Sequence, residues 1–259
     1  MLFDSHAHVN FEGFSDDWKE TLDYCRKSNI WVTNVGSQMD TSRRAVEIAS
    51  LYDEGVYASV GLHPTHAHRH PFDGNDLLFL AKTSKKVVAI GECGIDFYHS
   101  IEYFREQKEI FISQIRIAKE TGLPLIVHGR NDKEQKQNSY QEIIRILKKE
   151  QAKNGVIHCF GGTTKEADEF LRLGFYIGFT GIITFPGAKE IQNMAGSVPL
   201  DAILIETDCP YLAPQEHRGE KNYPQYVEYV AKKIAEIKGA SFESVALATF
   251  ENARKLYLP

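Results

Sequence analysis

The sequence predicts an α/β protein of the (β/α)8 TIM barrel class, folded as a single domain over residues 1–259. Eight short apolar runs alternate with amphipathic segments, and strands that alternate with helices pair in parallel through right-handed crossovers. The chain has 259 residues, of which 42% are hydrophobic and 25% charged, as expected for one barrel of this kind. We therefore expect a closed ring. An open doubly wound sheet is the alternative.

The strand candidates are short runs rich in apolar, β-branched or aromatic residues. In chain order they are 2–3, 30–35, 56–60, 87–90, 123–127, 156–157, 175–177 and 203–205. Apolar residues recur at helical spacing in the segments between them, at 17–27, 42–52, 76–82, 102–120, 140–149, 164–171 and 188–194. The final stretch, 223–257, predicts one or two closing helices interrupted at Gly239.

Composition and charge exclude several classes of protein. A net charge of −5 argues against a broad polyanion-binding surface, although it leaves room for a local phosphate pocket. No apolar run reaches membrane-spanning length, and the first residues lack the pattern of a secretory signal, so we expect no membrane association. The four cysteines are dispersed rather than arranged as a disulfide framework, which favours the cytoplasm. We see no sign of an obligate protein partner.

Side chains able to bind a metal ion lie at or just after the ends of several strand candidates. They are His6, His8, Glu92, His128, His158 and Asp208. In a parallel barrel the C-terminal ends of the strands converge on one face, where enzymes of this fold keep their chemistry. The pattern therefore favours a metal-dependent hydrolase.

The first of these strands ends in Asp4-Ser5-His6-Ala7-His8. Side chains two positions apart on a strand share a face, so His6 and His8 can bind one ion. Asp4 lies one step below and could orient a ligand or a backbone group. The alternative is that His6 and His8 are simply surface histidines. Their position directly after an apolar run favours a role as ligands.

A second group of histidines has the same spacing but a different setting. His66, His68 and His70 lie between Pro64 and Pro71, without a strand to fix them, so we expect them to be exposed to solvent. In contrast, His63 follows the run 56–60, and we expect it to face the same cavity as the metal-binding side chains.

Glu92 follows a strongly apolar run, where an unpaired carboxylate would cost several kcal/mol to bury. A metal ion would remove this cost, and the two oxygens of Glu92 could bridge two cations. The alternative is a buried ion pair with Arg130, which suits Asp96 better than Glu92.

Three further candidates come from later strands. His128 and His158 end corresponding strands, which favours ligands over isolated core histidines. Asp208 and Glu206 are two positions apart after the eighth run, so one could ligate while the other supports it.

At this point the residues resemble the TatD family of metal-dependent deoxyribonucleases, within the amidohydrolase-like barrels. The resemblance spans nearly the full chain. It rests on Asp-Ser-His-Ala-His at 4–8, Gly-Leu-His-Pro at 61–64, Gly-Glu-Cys-Gly-Ile-Asp at 91–96, Leu-Pro-Leu-Ile-Val-His-Gly-Arg at 123–130, His-Cys-Phe at 158–160, Glu-Thr-Asp-Cys-Pro-Tyr-Leu at 206–212, Arg-Gly at 218–219, Asn-Tyr-Pro at 222–224 and Glu-Asn-Ala at 251–253.

The resemblance implies a site with two divalent ions. It implies that His6, His8, Glu92 and Asp208 surround one ion, that Glu92, His128 and His158 surround the other, and that Glu92 bridges them. It further implies that Asp208 is the base that takes a proton from the attacking water, and that His63, Arg130 and Arg218 face the substrate. Histidine and carboxylate ligands without thiolate suit Mg, Mn or Zn.

The chain departs from the usual family pattern at the pocket mouth. Gly129 and Asn131 flank Arg130 where Ser and Asp are usual, and Gly161 replaces a common Ser or Thr. None of these positions is a proposed ligand, so the departures bear on substrate preference alone.

Three hypotheses follow for the function. The leading one is a deoxyribonuclease that acts on DNA ends or short single strands, with Asp208 and Glu92 as catalytic residues. The second is hydrolysis of an ester, amide or lactone, including removal of D-amino acids from tRNA, because the same metal site can act on acyl carbons. The third is a metal-binding regulatory or scaffold protein without catalysis, against which the intact Asp208 argues.

Overall fold

The computed structural model describes residues 1–69, 72–134 and 136–258. Within these ranges eight parallel strands form one sheet in sequential order. They are β1 (Leu2–Ala7), β2 (Ile30–Val35), β3 (Val56–Val60), β4 (Val87–Asp96), β5 (Leu125–Arg130), β6 (Gly155–Ile157), β7 (Phe175–Phe179) and β8 (Ile203–Ile205). The predicted (β/α)8 barrel is confirmed.

Helices connect successive strands and pack around the sheet. In the described ranges they are α1 (Trp18–Lys27), α2 (Met39–Ala49), α3 (Gly74–Thr83), α4 (Phe97–Ser100), α5 (Phe104–Thr121), α6 (Ser139–Lys149), α7 (Thr164–Arg172), α8 (Lys189–Ser197), α9 (Val227–Lys238) and α10 (Phe242–Tyr257). Local sequence sets several of their ends. A capping box of Thr163 and Glu166 starts α7, and Gly239, with a φ of 61°, ends α9.

The ring closes between β1 and the segment that follows β8. The backbone N–H of Asp208 donates to the carbonyl of His6 (2.9 Å), and the N–H of His8 donates to the carbonyl of Cys209 (2.8 Å). The hydroxyl of Ser5 also donates to the carbonyl of Ile205 (3.1 Å). This seam therefore holds the first and last candidate ligands next to each other.

Aromatic side chains fill the N-terminal end of the barrel. Phe3 on β1 lies 6.1 Å from Phe250 and 5.9 Å from Tyr257 between ring centroids, and both partners belong to α10. The hydroxyl of Tyr257 donates to the carbonyl of Ser5 (3.2 Å). This end is thus an apolar floor, and polar side chains gather at the opposite end.

Two strands carry one extra residue where candidate ligands lie. The pairing of β1 with β2 shifts between Asp4 and Ala7, and that of β4 with β5 shifts between Ile90 and Cys93. Bulges of this kind redirect side chains and are common beside active sites. They explain how His6 and Glu92 reach the cavity from strands that are otherwise regular.

No helix in the described ranges has both the length and the apolar character needed to cross a membrane. The predicted strands match the structure in number and order, and several elements differ in extent. β1 continues to Ala7, and β5 spans Leu125–Arg130 rather than 123–127. β4 continues to Asp96, beyond the apolar run, and α4 is an additional short helix. α2 begins at Met39 because the backbone N–H of Gln38 donates to the hydroxyl of Thr41 (3.0 Å).

Candidate metal centre

The C-terminal ends of the strands open into a cavity of about 910 Å³. Its walls include most of the side chains singled out in the sequence, namely His8, His63, Glu92, His128, Arg130, His158 and Asp208. His6 is fully buried and contacts this group from below. Residues that are distant in sequence therefore meet at one place, as the barrel topology requires.

The first cluster joins the two histidines of β1 to two carboxylates. His6 Nε2 lies 3.2 Å from His8 Nε2, 3.5 Å from Glu92 Oε2 and 3.7 Å from Asp208 Oδ1. His8 Nε2 lies 3.2 Å from Asp208 Oδ1 and 3.8 Å from Glu92 Oε2. Donor atoms about 2.1 Å from a shared tetrahedral ion are separated by roughly 3.4 Å, so this spacing suits a metal.

The second cluster surrounds the other oxygen of Glu92. Glu92 Oε1 lies 3.0 Å from His128 Nδ1 and 3.5 Å from His63 Nε2. The rings of His63 and His128 meet edge to face, with centroids 4.3 Å apart. Glu92 thus faces one histidine cluster with each of its two oxygens.

His158 stands next to the first cluster rather than the second. Its ring stacks on His6 with centroids 3.5 Å apart, and its Nε2 lies 3.6 Å from Asp208 Oδ1. On the opposite side Nδ1 lies 2.9 Å from Glu206 Oε2. The structure therefore groups His158 with His6 and Glu206, and groups His128 with His63 and Glu92.

Carboxylates behind the histidines fix which nitrogen faces the cavity. Glu206 holds Nδ1 of His158, and Asp96 Oδ2 lies 3.0 Å from Nε2 of His128. Asp96 also lies 3.0 Å from Nδ1 of His99. Such carboxylate–histidine pairs are typical of metal sites, where they set the tautomer and the ring orientation. Asp96 is not paired with Arg130, the alternative considered from the sequence.

The protonation of these side chains fits a bound cation. Burial lowers the pKa of His6 to about 4, so its imidazole is neutral. His8 Nδ1 lies 2.8 Å from the Val35 carbonyl, which can only accept, so the ring proton sits there. The other ring nitrogen, Nε2 of His8, faces His6 Nε2 and Asp208 Oδ1. The two Nε2 atoms, 3.2 Å apart and next to the carboxylates of Glu92 and Asp208, form a donor set that suits a cation.

The other two histidines hold protons that a metal would displace. Burial lowers the pKa of His128, but hydrogen bonds to Asp96 and Glu92 outweigh it and raise the pKa to about 9. Burial also lowers the pKa of His158. The charges of Glu206 and Asp208 outweigh this effect and raise the pKa of His158 to about 10. The same contacts lower the pKa values of Glu92, Asp96 and Asp208, so these carboxylates are negative and can attract a cation.

Asp208 is positioned by an unusual backbone conformation. Its φ is 58°, a left-handed value that is uncommon for a residue other than glycine and often marks functional sites. The preceding residue, Thr207, donates from its backbone N–H to Asp4 Oδ1 (2.9 Å) and from its hydroxyl to Asp4 Oδ2 (2.5 Å). Asp4 thus orients the backbone after β8, one of the two roles expected for it.

The three expected substrate contacts differ in position. His63 and Arg130 line the cavity, and the guanidinium carbon of Arg130 lies 3.9 Å from the centroid of the Tyr98 ring. Arg218 is exposed and lies over the ring of Phe185, at 4.9 Å from its centroid. It is not among the described residues that line the cavity.

The prediction that the loop histidines are exposed to solvent is wrong for two of them. His66 and His68 are half-buried and line the cavity, and His68 stacks on Tyr103 with centroids 3.7 Å apart. His70 lies outside the described residues. The sequence gives no signal for these contacts, because Tyr103 belongs to a different loop.

The comparisons with known proteins agree with this site. The family model described as TatD related DNase matches residues 3–258. An uncharacterized metal-dependent hydrolase of Bacillus subtilis, YabD, is 40% identical over 99% of both chains. The uncharacterized metal-dependent hydrolase YcfH of Escherichia coli is 36% identical over 99% of this chain and 96% of its own.

A solved structure gives the same result for the fold. The crystal structure of YjjV, a TatD homologue of Escherichia coli, superposes with a TM-score of 0.89 at 27% identity, covering 100% of this chain and 98% of that one. The relatives and the histidine and carboxylate clusters together indicate binding of divalent metal. The chain belongs to the TatD family and is a metal-dependent hydrolase.

Proposed function

We propose that this protein is a deoxyribonuclease that hydrolyses phosphodiester bonds of DNA at short or single-stranded ends, with two divalent ions, Mg, Mn or Zn. The description of the matching family model supports a DNA substrate. The guanidinium of Arg130 at the cavity wall supports a phosphate over a neutral acyl group, because arginine binds phosphate oxygens with paired hydrogen bonds.

The observation that carries the proposal is the position of Glu92 between two histidine clusters. One oxygen faces His6 and His8, and the other faces His63 and His128. In the proposed site His6, His8, Glu92 and Asp208 hold one ion, and Glu92 and His128 hold the other. The family resemblance assigns His158 to the second ion, but its Nε2 lies beside the first cluster, 3.6 Å from Asp208 Oδ1. Bound there, the ions would lower the pKa of water and stabilise the charge that develops on the phosphate oxygens.

Asp208 is the proposed base. Its side chain is 16% exposed, against 6% for Glu92 and 0% for Glu206, so a water molecule in the cavity reaches Asp208 most easily. Burial raises the pKa of Asp208, but the charge of His158 and the hydrogen bond and charge of His8 outweigh burial and lower it. The carboxylate is therefore ionised and able to accept a proton. His63 and Arg130 would orient the phosphate, and Arg218 would contact the strand farther from the centre.

The test is hydrolysis of end-labelled single-stranded DNA by protein stripped of metal and refilled with Mg, Mn or Zn. A Glu92→Ala variant is compared with Glu190→Ala, an exposed glutamate on α8. We expect metal-dependent release of nucleotides by the wild type and Glu190→Ala, and none by Glu92→Ala. Metal binding without DNA cleavage would contradict the proposal, and activity on aminoacyl esters or lactones would then favour the acyl hydrolase.

We also propose that the enzyme acts in the cytoplasm, without an obligate protein partner. All four cysteines are free thiols, which supports a reducing compartment. Fractionation of cells that express the tagged protein would test the location.

A further inference from the structure

Three cations stand at the cavity mouth, one at the end of β5 and the others on the loops that follow β3 and β5. Arg69 and Arg130 line the cavity, and Lys133 lies three residues beyond Arg130. All three are exposed. We call Arg69, Arg130 and Lys133 the basic wall.

The basic wall has no internal counter-charge. Within residues 1–69, 72–134 and 136–258, no carboxylate lies within ion-pair distance of Arg69, Arg130 or Lys133. Many exposed cations elsewhere are paired, for example Lys82 with Glu120 at 2.6 Å. In a chain with a net charge of −5, three cations without a carboxylate partner beside one cavity give its mouth a local positive charge that favours an anionic ligand.

Aromatic contacts hold two members of the basic wall in place around α4, the short helix that follows β4. The ring of Tyr98 lies 3.9 Å from the Arg130 guanidinium carbon and 4.9 Å from the ammonium of Lys133, measured to its centroid. On the other side Nε of Arg69 donates to Nε2 of His68 (3.0 Å), and His68 stacks on Tyr103. Cations that are ordered before binding lose less conformational entropy when an anion arrives.

The size of the cavity limits what the metal centre alone can hold. At about 910 Å³ it lies near the upper end of pockets that enclose one small molecule, so a longer strand must continue over its rim. Sites for single-stranded nucleic acid combine a positive groove with aromatic side chains, as the basic wall and Tyr98 do here.

We propose that the basic wall binds the backbone phosphates of nucleotides next to the scissile bond, where the strand of the proposed substrate leaves the metal centre. This inference rests on the proposed nuclease function and adds Arg69, Lys133 and Tyr98 to it. The wall contributes affinity for the strand beyond the reacting phosphate, so it should affect a strand far more than a minimal phosphodiester.

The test uses two double variants with the same change of charge. Arg69→Ala/Lys133→Ala alters the basic wall, and Arg172→Ala/Lys153→Ala removes an exposed arginine and lysine that precede β7 and β6, at the opposite end of the barrel. Kinetics of the metal-loaded proteins are measured with a short poly-dT strand and with bis(p-nitrophenyl) phosphate. We expect KM for the strand to rise about 10-fold in the first variant, with less than about a 2-fold change for the small diester.

Salt dependence gives a second readout. Each phosphate contact to a single strand contributes about 0.7 to the slope of log affinity against log salt, so loss of two contacts should flatten the slope by about 1.4. The Arg172→Ala/Lys153→Ala slope should equal that of the wild type. Equal effects of the two double variants, or equal effects on the strand and the small diester, would overturn the basic wall.

Failure of the proposed function can be told apart from failure of the wall. If no phosphodiester is cleaved, the nuclease proposal fails, and binding of fluorescein-labelled poly-dT by anisotropy still tests the wall with the same variants. The basic wall is supported if Arg69→Ala/Lys133→Ala binds the strand more weakly and Arg172→Ala/Lys153→Ala binds it as the wild type does. A duplex of equal length that binds as tightly, with the same loss in that variant, would show a general polyanion surface and overturn the assignment of the basic wall to the substrate strand.

Discussion

Glu206 Oε2 lies 2.9 Å from Nδ1 of His158, and the two side chains are 0% and 4% exposed. Glu206 also accepts from the backbone N–H of Cys159 (3.0 Å). The pair fixes the ring so that Nε2 points toward Asp208, although Glu206 itself is not among the described residues that line the cavity. A residue that does not line the cavity thus determines how a proposed ligand is presented.

Glu206→Gln should weaken metal binding without unfolding the protein. An amide can still accept one hydrogen bond, but it removes the negative charge that orients His158, and changes of this kind typically reduce metal affinity by about 10–100-fold. Competition with a chromophoric chelator measures the affinity. Glu190→Gln, on the surface of α8, is the control and should bind as the wild type does. Unchanged affinity in Glu206→Gln would remove the proposed role.

Gly178→Ala should disturb the contact between Glu206 and His158. A Cβ at this position of β7 would lie 2.4 Å from Glu206 Oε1, so the buried carboxylate would have to shift. We expect a loss of about 1–3 kcal/mol in the free energy of unfolding, together with weaker metal binding. Gly187→Ala, which meets no atom within 4 Å, should change stability by less than about 0.5 kcal/mol. Urea unfolding of both variants provides the comparison.

Asp208→Asn should abolish most hydrolysis while retaining the fold and the binding of DNA. Loss of a general base typically lowers kcat by about 10²–10⁴-fold, and the asparagine cannot accept the proton from water. Single-turnover cleavage of labelled DNA measures the loss, and anisotropy measures binding. Asp168→Asn, an exposed aspartate of α7, is the matched control. Retained turnover in Asp208→Asn would exclude it as the base.

Metal binding should release protons at neutral pH. The pKa values of His128, about 9, and His158, about 10, lie above 7, so both rings are charged without metal and must lose a proton to become ligands. Metal affinity should therefore rise with pH between about 6 and 9, by up to about 10-fold per unit for each proton displaced. Calorimetry in buffers of different ionisation enthalpy measures the release. A heat of binding independent of the buffer would contradict this.

The fold could be predicted from sequence because barrel strands are apolar runs with clear ends. Three predicted strands, at 30–35, 56–60 and 203–205, have the observed bounds. β4 extends farther than predicted because Glu92 and Asp96 are polar strand residues that face the site rather than the core. Hydrophobic patterning cannot extend a strand through such positions. The single-domain organisation over 1–259 stays a prediction.

Most of the candidate ligands lie together as the sequence predicts, but Arg218 is not among the described residues that line the cavity, and the pairing within the site was not predictable. That His158 contacts Glu206 and His128 contacts Asp96 depends on which strands are neighbours and on the bulges in β1 and β4. Chain position carries no signal for the stacking of His68 on Tyr103, which joins two loops. The roles assigned to the ligands and substrate contacts remain proposals.

The aromatic floor has a consequence for how the chain acquires its fold during synthesis. Phe3 emerges from the ribosome early, whereas its partners Phe250 and Tyr257 emerge almost a whole chain length later. Until α10 is available, Phe3 can contact Trp31 and Tyr57 but lacks the cover of Phe250 and Tyr257, and contacts of such long sequence separation form slowly. We therefore expect nascent chains that stop before α10 to depend on chaperones.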